Sequence, residues 1–577
     1  MNETEVEYIN ECITNMISSG VVEKSVDEPG QFLSSFFTVP KPDGTRRFVL
    51  NLNKLNEFLI DEHFKMEDIR TALNLVMPNC FFATMDQKDA YYMVPIHKNY
   101  RKFLKFRWKG VLYVYTCLPF GLSLAPWLYT KIMKPVLAFL RSKLIVNVSY
   151  LDDLLNIAKT YEDCLKNVSI TIQLYNRLGL LINDKKSQLV PSQVIKYLGF
   201  FIDSRSMFIY LPDEKKQGII KKCISIKMKS IVSIQEVAEL LGTLVSSCPG
   251  VEYGQLYTRK LEMDKIVSLV LSSQSYSAKM TISSEAMDDI DWWLKNVSSS
   301  RRKIRTDAYS LTLTTDASPT GWGATIHKQE TRGHWNYIES QKHINELELI
   351  GIYNGLQALV KLSNTSILIR TDSTTAISYI NKYGGCKSIN CQIVAKSIWQ
   401  WCENRQLLIF ASYINTKDNF VADALSRIEV DSYDFMLGQK YFYKICNKLE
   451  QPEIDLFSTW QTKQCKRFVS WFPNPGAEWI DAFTRPWPSS FYAFPPFKLV
   501  TKVLKKIRDE GCRGIVVAPD WPNQPWYPVY QQLIVSRVVY IKPTHDLLFC
   551  PYSNRNHPLS TKLTLMAAIL STNHSRT

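Results

Sequence analysis

Apolar positions in the first third of the chain come in short alternating runs rather than long helical stripes. FFATMDQKDAYYMVPI (81–96) looks like a strand with Asp86 near its end, leading into a turn or short helix. LIVNVSYLDDLLNIAK (144–159) carries apolar β-type runs on either side of Asp152 and Asp153, which predicts a hairpin with paired carboxylates at its tip. DCLKNVSITIQLYNRLGL (163–180) switches to helical spacing, and LVPSQVIKYLGFFI (189–202) reads as a strand-like run with a turn.

Around 204–215 the strand pattern gives way to helices, including IQEVAELLGTLVSS (234–247) and EAMDDIDWWLKNV (285–297). SSSRRKIR (298–305) is a polar, basic connector, and LTLTTDASPTGWGATI (311–326) predicts two strands joined by a Pro/Gly turn. ELIGIYNGLQAL (348–359) is an amphipathic helix with Glu348 in its first turn, RTDSTTAI (370–377) a strand end leading into a helix, and DNFVADALSR (418–427) a helix-like segment. The pattern breaks again at 427–435, and the remainder, dense in Trp and Pro, reads as a separate loop-rich unit.

With 577 residues the chain has room for about four domains. Its 46% hydrophobic and 21% charged content excludes disordered, collagen-like and coiled-coil classes. Lys+Arg 69 against Asp+Glu 54 leaves +15, a surplus that favours a polyanionic partner, with nucleic acid ahead of an anionic membrane. A mean hydropathy of −0.13 and the lack of a long apolar run weaken the membrane reading. The polar start, without an apolar leader, gives an intracellular expectation (cytoplasm or nucleus, not secreted). The 13 Cys are scattered without zinc spacing, so neither a disulfide framework nor a structural metal is expected.

Two constellations carry chemistry. Asp86, Asp152 and Asp153 on neighbouring strand ends form an oxygen-ligand set of the kind that holds Mg²⁺ in nucleotidyl transfer. A YxDD string alone is weak, because an adjacent Asp pair is more often a solvated turn, but apolar flanks and a third acidic strand end strengthen it. Asp316, Glu348, Asp372 and Asp423 come from separate elements beside apolar sequence, and gathering them is costly unless a cation lies between them. Any one of these acids, Glu348 above all, also fits a charge at a helix N-terminus.

At these residues the chain resembles a reverse transcriptase, and its motifs stand in the family's order. VPKPDGTRR (39–47) looks like the fingers motif, which implies that Lys41 and Arg47 contact the incoming nucleotide. MDQKDAYY (85–92) places Asp86 as a metal ligand and Tyr91 as the aromatic under the sugar that rejects a ribose hydroxyl. LPFGLSLAP (118–126) puts Phe120 in the nucleotide pocket, and YLDD (150–153) gives Asp152 as second ligand with Asp153 beside it. LINDKK (181–186) brings Lys185 or Lys186 toward the leaving pyrophosphate, and YLGF (197–200) resembles the primer grip. LNLN (50–53) departs from the family, with Asn51 and Asn53 where an Asp and an Arg are usual; altered local hydrogen bonding is the expected result.

The second constellation is similar to the RNase H domain of retroelement polymerases, which implies that Asp316, Glu348, Asp372 and Asp423 are ligands for a second metal site. SYINTKDNFVAD (412–423) has no counterpart of the mobile His of some RNases H, a trait shared with Gypsy-like and DIRS-like elements. The tail resembles the region that DIRS-type retrotransposons carry after RNase H, a Dam-like adenine methyltransferase. Here IDLFSTW lacks the expected glycines, and FPPF (494–497) has Phe494 where a polar residue would grip the amino group, so a degenerate or structural domain is expected. Protease, zinc-knuckle, integrase-zinc and tyrosine-recombinase motifs are not found, and the reading assigns those functions elsewhere, or to a longer chain of which this is a fragment.

The expected fold is α+β and multidomain. Fingers and a ferredoxin-like palm occupy 1–203, thumb and connection 204–304, an α/β RNase H-like domain 305–430, and a degenerate methyltransferase-like α/β region 431–577. Basic patches KKQGIIKKC (215–223) and IKMKS (226–230) would hold a hybrid backbone without reading sequence. The function implied is RNA-directed DNA polymerase with RNase H activity in a retrotransposon most like the DIRS type. It uses two Mg²⁺ per active site, with Mn²⁺ as a substitute, and takes an RNA template, DNA primer, RNA–DNA hybrid and deoxynucleotide triphosphates. The alternative is a decayed or domesticated retroelement protein that binds nucleic acid without catalysis.

Overall fold

The structure is a computed structural model describing residues 3–40, 46–60, 62–304, 309–428, 435–552 and 555–572. The chain forms two compact units: Met1–Gly254 with Ile290–Thr306, and Gln255–Asp289 with Asp307–Thr577. Among the described residues, no helix is long and apolar enough to cross a membrane.

The first unit is built on a four-stranded antiparallel sheet. Its strands are β1 (Phe81–Asp86), β2 (Val146–Tyr150), β3 (Asp153–Ala158) and β4 (Gln188–Ser192), in the order β2-β3-β1-β4. Two helices, α1 (Ala125–Ser142) and α2 (Tyr161–Leu178), cover one face. In α2 the buried positions Cys164, Val168, Thr171 and Tyr175 recur at helical spacing, so one stripe faces the sheet. Thr160 caps its start by accepting the Asp163 N–H, and Gly179 at φ 72° ends it where a side chain would be strained. Ala83, Met85, Leu154 and Ala158 point into the same core from β1 and β3, which the two-residue strand period requires. Each large aliphatic so buried contributes about 1.5–3 kcal/mol.

Upstream, Phe36–Pro40 pairs with Arg46–Leu50. Downstream, Val194–Tyr197 and Phe200–Asp203 form a hairpin, with Leu198 and Gly199 both at positive φ, as a tight two-residue turn requires. The 298–305 segment is not a free connector: Arg302–Lys303 pairs with Phe208–Tyr210 as the fourth strand of that sheet. Polar side chains do not prevent this, because an edge strand needs only an extended backbone partner.

Among the described residues, three sheets lie within the second unit, of five, six and three strands. The five-stranded one contains β5 (Leu311–Ala317), β6 (Gly321–Ile326), β7 (Gln329–His334), β8 (Ser366–Thr371) and β9 (Leu408–Tyr413), in the order β7-β6-β5-β8-β9. β5-β6 and β6-β7 are antiparallel, whereas β5-β8 and β8-β9 are parallel. Helix α3 (Ile344–Leu359) crosses it closely: a Cβ on Gly355 would lie 2.7 Å from that of Ala324. Helix α4 (Phe420–Ser426) sits as near to β6, where a Cβ on Gly323 would meet the Ala422 carbonyl at 2.4 Å.

The tail is more regular than its Trp- and Pro-rich sequence predicts. It contains β10 (Ile454–Asp455), β11 (Arg467–Phe468), β12 (Phe491–Ala493), β13 (Gly514–Pro519), β14 (Val539–Ile541) and β15 (Leu565–Leu570). Their order is β11-β10-β12-β13-β15-β14; the first four run parallel, and β15 is antiparallel to both its neighbours. Every residue of β13 and β15 is buried, with Val516 and Ala518 in one core and Ile515 and Val517 in another, so both faces are covered. Strands of two or three residues between long loops leave almost no periodic signal, which explains the loop-rich reading.

Candidate functional site

In the first unit, the strand register brings Asp86 and Asp153 directly opposite each other. The ladder continues past them, with Gln87 N–H donating to the Asp152 carbonyl at 2.9 Å. The β2-β3 hairpin closes through Leu151 and Asp152, and Leu151 holds φ 53°, a conformation costly for a branched side chain. Such strain at a carboxylate-bearing tip is what functional turns carry. Buried Gln87 is fixed by the Tyr129 hydroxyl, which locks the backbone just after Asp86.

The 181–187 loop completes the surroundings of Asp86. Ser187 Oγ accepts the Asp86 N–H at 3.0 Å, Asn183 N–H donates to the Asp86 carbonyl at 2.8 Å, and Lys186 Nζ lies 3.7 Å from its carboxylate. Lys185 is exposed beside it. Burial, then the charges of Asp152 and Asp86, push Asp153 up to about 6, and Lys186 opposes this. Tyr91 packs on Phe120 and Tyr129 with ring centroids 5.1 and 5.7 Å apart. Its hydroxyl is pushed up to about 12 by burial and by the nearby Asp152 charge.

Lys41 lies outside the described residues, as does the side chain of Arg47. At the departure from the family pattern, Asn51 N–H donates to the Ser35 carbonyl at 2.7 Å, and its side chain accepts the Asn53 N–H at 3.3 Å.

In the second unit, Asp316 near the end of β5, Glu348 in α3 and Asp372 after β8 present carboxylate oxygens within 4.8 Å of one another. Among the described residues, this is the one such group of three acids; Asp86, Asp152 and Asp153 do not gather as tightly. Glu348 is not in a first helical turn, because the helix begins at Ile344, capped by His343, and places it one turn further in. This removes the helix-terminus explanation for its charge. Burial is the largest cause raising Glu348 to about 8 and Asp316 to about 6, with neighbouring carboxylates adding to both. Glu348 Oε2 is buried with no hydrogen-bond partner. Two buried carboxylates beside a half-buried third, with an unsatisfied oxygen, fit a hard divalent cation, which would supply the missing ligand interaction and the compensating charge.

Supporting residues that the sequence did not single out orient these acids. Ser426 Oγ donates to Asp316 at 2.8 Å, Asn419 reaches it at 3.4 Å, and Thr416 donates to Asp372 at 2.9 Å. Asp423 stands outside the triad, paired with Arg427 at 2.8 Å one turn along α4. In the first unit the overlooked pair is Glu67 and Arg141. Glu67 accepts the Ser149 N–H at 2.9 Å and two bonds from Arg141, which also grips Asn147. Only the fold brings these distant polar residues together, so no local pattern marks them.

Residues 39–202 match the family model described as "Reverse transcriptase (RNA-dependent DNA polymerase)". The enzymatic polyprotein of cauliflower mosaic virus (strain Strasbourg) is 23% identical over 416 residues, covering 67% of this chain and 56% of the viral protein. The chain thus spans about half the length of that relative. The Transposon Tf2-3 polyprotein of Schizosaccharomyces pombe is 26% identical over 200 residues, 35% of this chain and 15% of the transposon protein. A solved structure of the foamy viral protease-reverse transcriptase in complex with dsDNA is 18% identical, with a TM-score of 0.46, over 72% of this chain and 84% of that one. The family match and the polyprotein relatives together support a retroelement reverse transcriptase domain within residues 39–202.

Proposed function

We propose that this chain is an RNA-directed DNA polymerase with ribonuclease H activity, from a retroelement of the DIRS or Gypsy-like kind. The observation that carries the polymerase reading is the Asp86–Asp153 register pair beside the strained Leu151-Asp152 turn, inside the segment that matches the family model. In this reading Asp86, Asp152 and Asp153 hold divalent cations, with Mg²⁺ first and Mn²⁺ as a substitute. Bound there, the cations would stabilise charge on the attacking and leaving oxygens of an in-line displacement.

The chain's own residues do the positioning. Tyr91, braced by Phe120, underlies the sugar and excludes a 2′-hydroxyl by contact. Lys186, beside Asp86 but largely exposed, is free to swing toward the pyrophosphate, with Lys185 next to it. Lys41 and Arg47 are assigned to the triphosphate through the fingers motif. Deoxynucleotide triphosphates, an RNA template and a DNA primer are the substrates.

The ribonuclease reading rests on the Asp316–Glu348–Asp372 cluster, on a sheet whose three antiparallel strands continue into two parallel ones. Asp316, Glu348 and Asp372 would hold a divalent cation, which would activate a water for attack on the RNA backbone, and Asp423, paired with Arg427, is assigned as the fourth acid of that site. An RNA–DNA hybrid is the substrate. We assign 1–203 to fingers and palm, 204–304 to thumb and connection, 305–430 to RNase H, and 431–577 to a degenerate methyltransferase-like domain. The last assignment is supported by the sheet order, in which the final strand inserts antiparallel between β13 and β14.

The test is extension of a DNA primer on an RNA template with Mg²⁺, comparing deoxynucleotides with ribonucleotides. Deoxynucleotide-selective extension supports the assignment. Tight hybrid binding without extension would instead favour a decayed nucleic-acid-binding protein.

A further inference from the structure

We propose that the C-terminal α/β domain is a brace for the sheet that carries the Asp316 cluster, and that its ligand crevice is given over to that task. In a doubly wound sheet, small molecules bind outside the carboxyl ends of the strands, where successive strands depart to opposite sides. Here that point lies at β10, because β11 follows on one side and β12 on the other.

The segments leaving those carboxyl ends hold protein. Gln461, beyond β10, donates from Nε2 to the His334 carbonyl at 2.8 Å and to the Glu339 carboxylate at 3.2 Å. The Pro473 carbonyl, beyond β11, accepts the Thr331 hydroxyl at 2.5 Å. The Tyr552 ring packs edge-on against His334 at 5.5 Å, and its hydroxyl bonds Thr459 at 3.0 Å. The acid at the end of β10, Asp455, is 2% exposed and takes backbone N–H groups of its own loop, Phe457 at 3.2 Å and Gln464 at 3.0 Å. It offers nothing outward. No glycine, the usual residue where backbone closely approaches a ligand, occurs in 455–464.

The strand being held is β7, the edge of the five-stranded sheet, whose open backbone is a liability if uncovered. Its hold reaches Asp316 through packed neighbours. Trp335, just after β7, donates to the Ser318 carbonyl at 2.7 Å, Ser318 donates to the Ser426 carbonyl at 2.6 Å, and Ser426 donates to Asp316.

The activity part of this inference rests on the ribonuclease reading above; the bracing part does not. Hydrogen exchange followed by mass spectrometry on the full chain compares wild type with Thr331→Val and with Gln461→Ala/Thr331→Val. The double variant, which removes three hydrogen bonds, is expected to exchange at least about tenfold faster in 329–334, the ratio for the loss of a single one of them. Hybrid cleavage falls severalfold while primer extension stays at the wild-type level, which also reports an intact fold in the first unit. Thr331→Val, nearly isosteric, shows the same effect in smaller measure should the double variant unfold. Unchanged exchange in 329–334 overturns the brace. Saturable binding of S-adenosylmethionine by the wild type in equilibrium dialysis overturns the closed crevice. A wild type that cleaves no hybrid removes the ribonuclease reading, and the exchange result then decides the brace by itself.

Discussion

Asp86 and Asp153 stand opposite each other across one antiparallel strand pair, so two carboxylates from residues 67 positions apart share one end of the two central strands of the sheet. Burial, then the like charges of Asp152 and Asp86, raises Asp153 to about 6. Asp86→Asn is therefore expected to tolerate folding but to lower primer extension by at least about 10²-fold, the order seen when one electrostatic stabiliser is removed from a site. Circular dichroism and single-turnover extension on the same preparation check this.

The Glu67–Arg141 clamp leads to a different kind of loss. It fastens the edge strand β2 through Ser149 and Asn147, two and four residues before Leu151. Both side chains are partly exposed, so Glu67→Ala is expected to cost only about 1 kcal/mol of stability, within the range for a charge-assisted hydrogen bond in contact with water. The hairpin tip would be looser, and misplacement of the reacting groups by about 1 Å can cost up to about 10²-fold in rate. Extension slowed well beyond the stability loss, with Glu67→Gln recovering part of it through the Ser149 bond, is the expected result.

Tyr91→Ala tests the sugar contact. Phe120 loses one of its ring contacts and keeps Tyr92, and the space opened beside Asp152 admits a ribose hydroxyl. Discrimination against ribonucleotides, measured as the ratio of kcat/KM values, is expected to fall about 10- to 100-fold, the scale at which a pocket rejects one small group. Deoxynucleotide incorporation should change less than the ratio does.

The acidic cluster of the second unit makes stability depend on pH. Glu348 rises from 4.5 to about 8 and Asp316 from 3.8 to about 6 on folding. Because the folded values are raised, this contribution is fully present below the unfolded values and is lost as pH climbs from 3.8 to about 6 for Asp316 and from 4.5 to about 8 for Glu348. In metal-free buffer, melting of the second unit should fall over that window. Mg²⁺ should raise the melting temperature more at the alkaline end than at the acid end. Glu348→Gln should flatten the profile; an unchanged profile would refute the assigned cause.

The Asp152–Asp153 hairpin was legible because its information is local: apolar β-type runs on either side of paired acids. The same holds for Asp316 and Asp372, one near the end of a strand and the other just after one. Glu348 was legible as a residue but not in its place, since the His343 cap that starts its helix is an unusual one. Glu67, Arg141, Asn419 and Ser426 were invisible for a physical reason. Each is a polar residue whose meaning depends on a partner far away in sequence, and no periodicity encodes such a pairing. The tail failed differently, because strands as short as Ile454–Asp455 and Arg467–Phe468 give an alternation too brief to detect.

The most direct test of the central claim, two separate acidic centres serving two reactions, uses one labelled hybrid substrate with wild type, Asp152→Asn and Asp316→Asn in Mg²⁺. The expected result is reciprocal. Asp152→Asn stops primer extension while RNA cleavage continues, and Asp316→Asn stops cleavage while extension continues. Loss of both activities in either variant, or of neither in both, would contradict it.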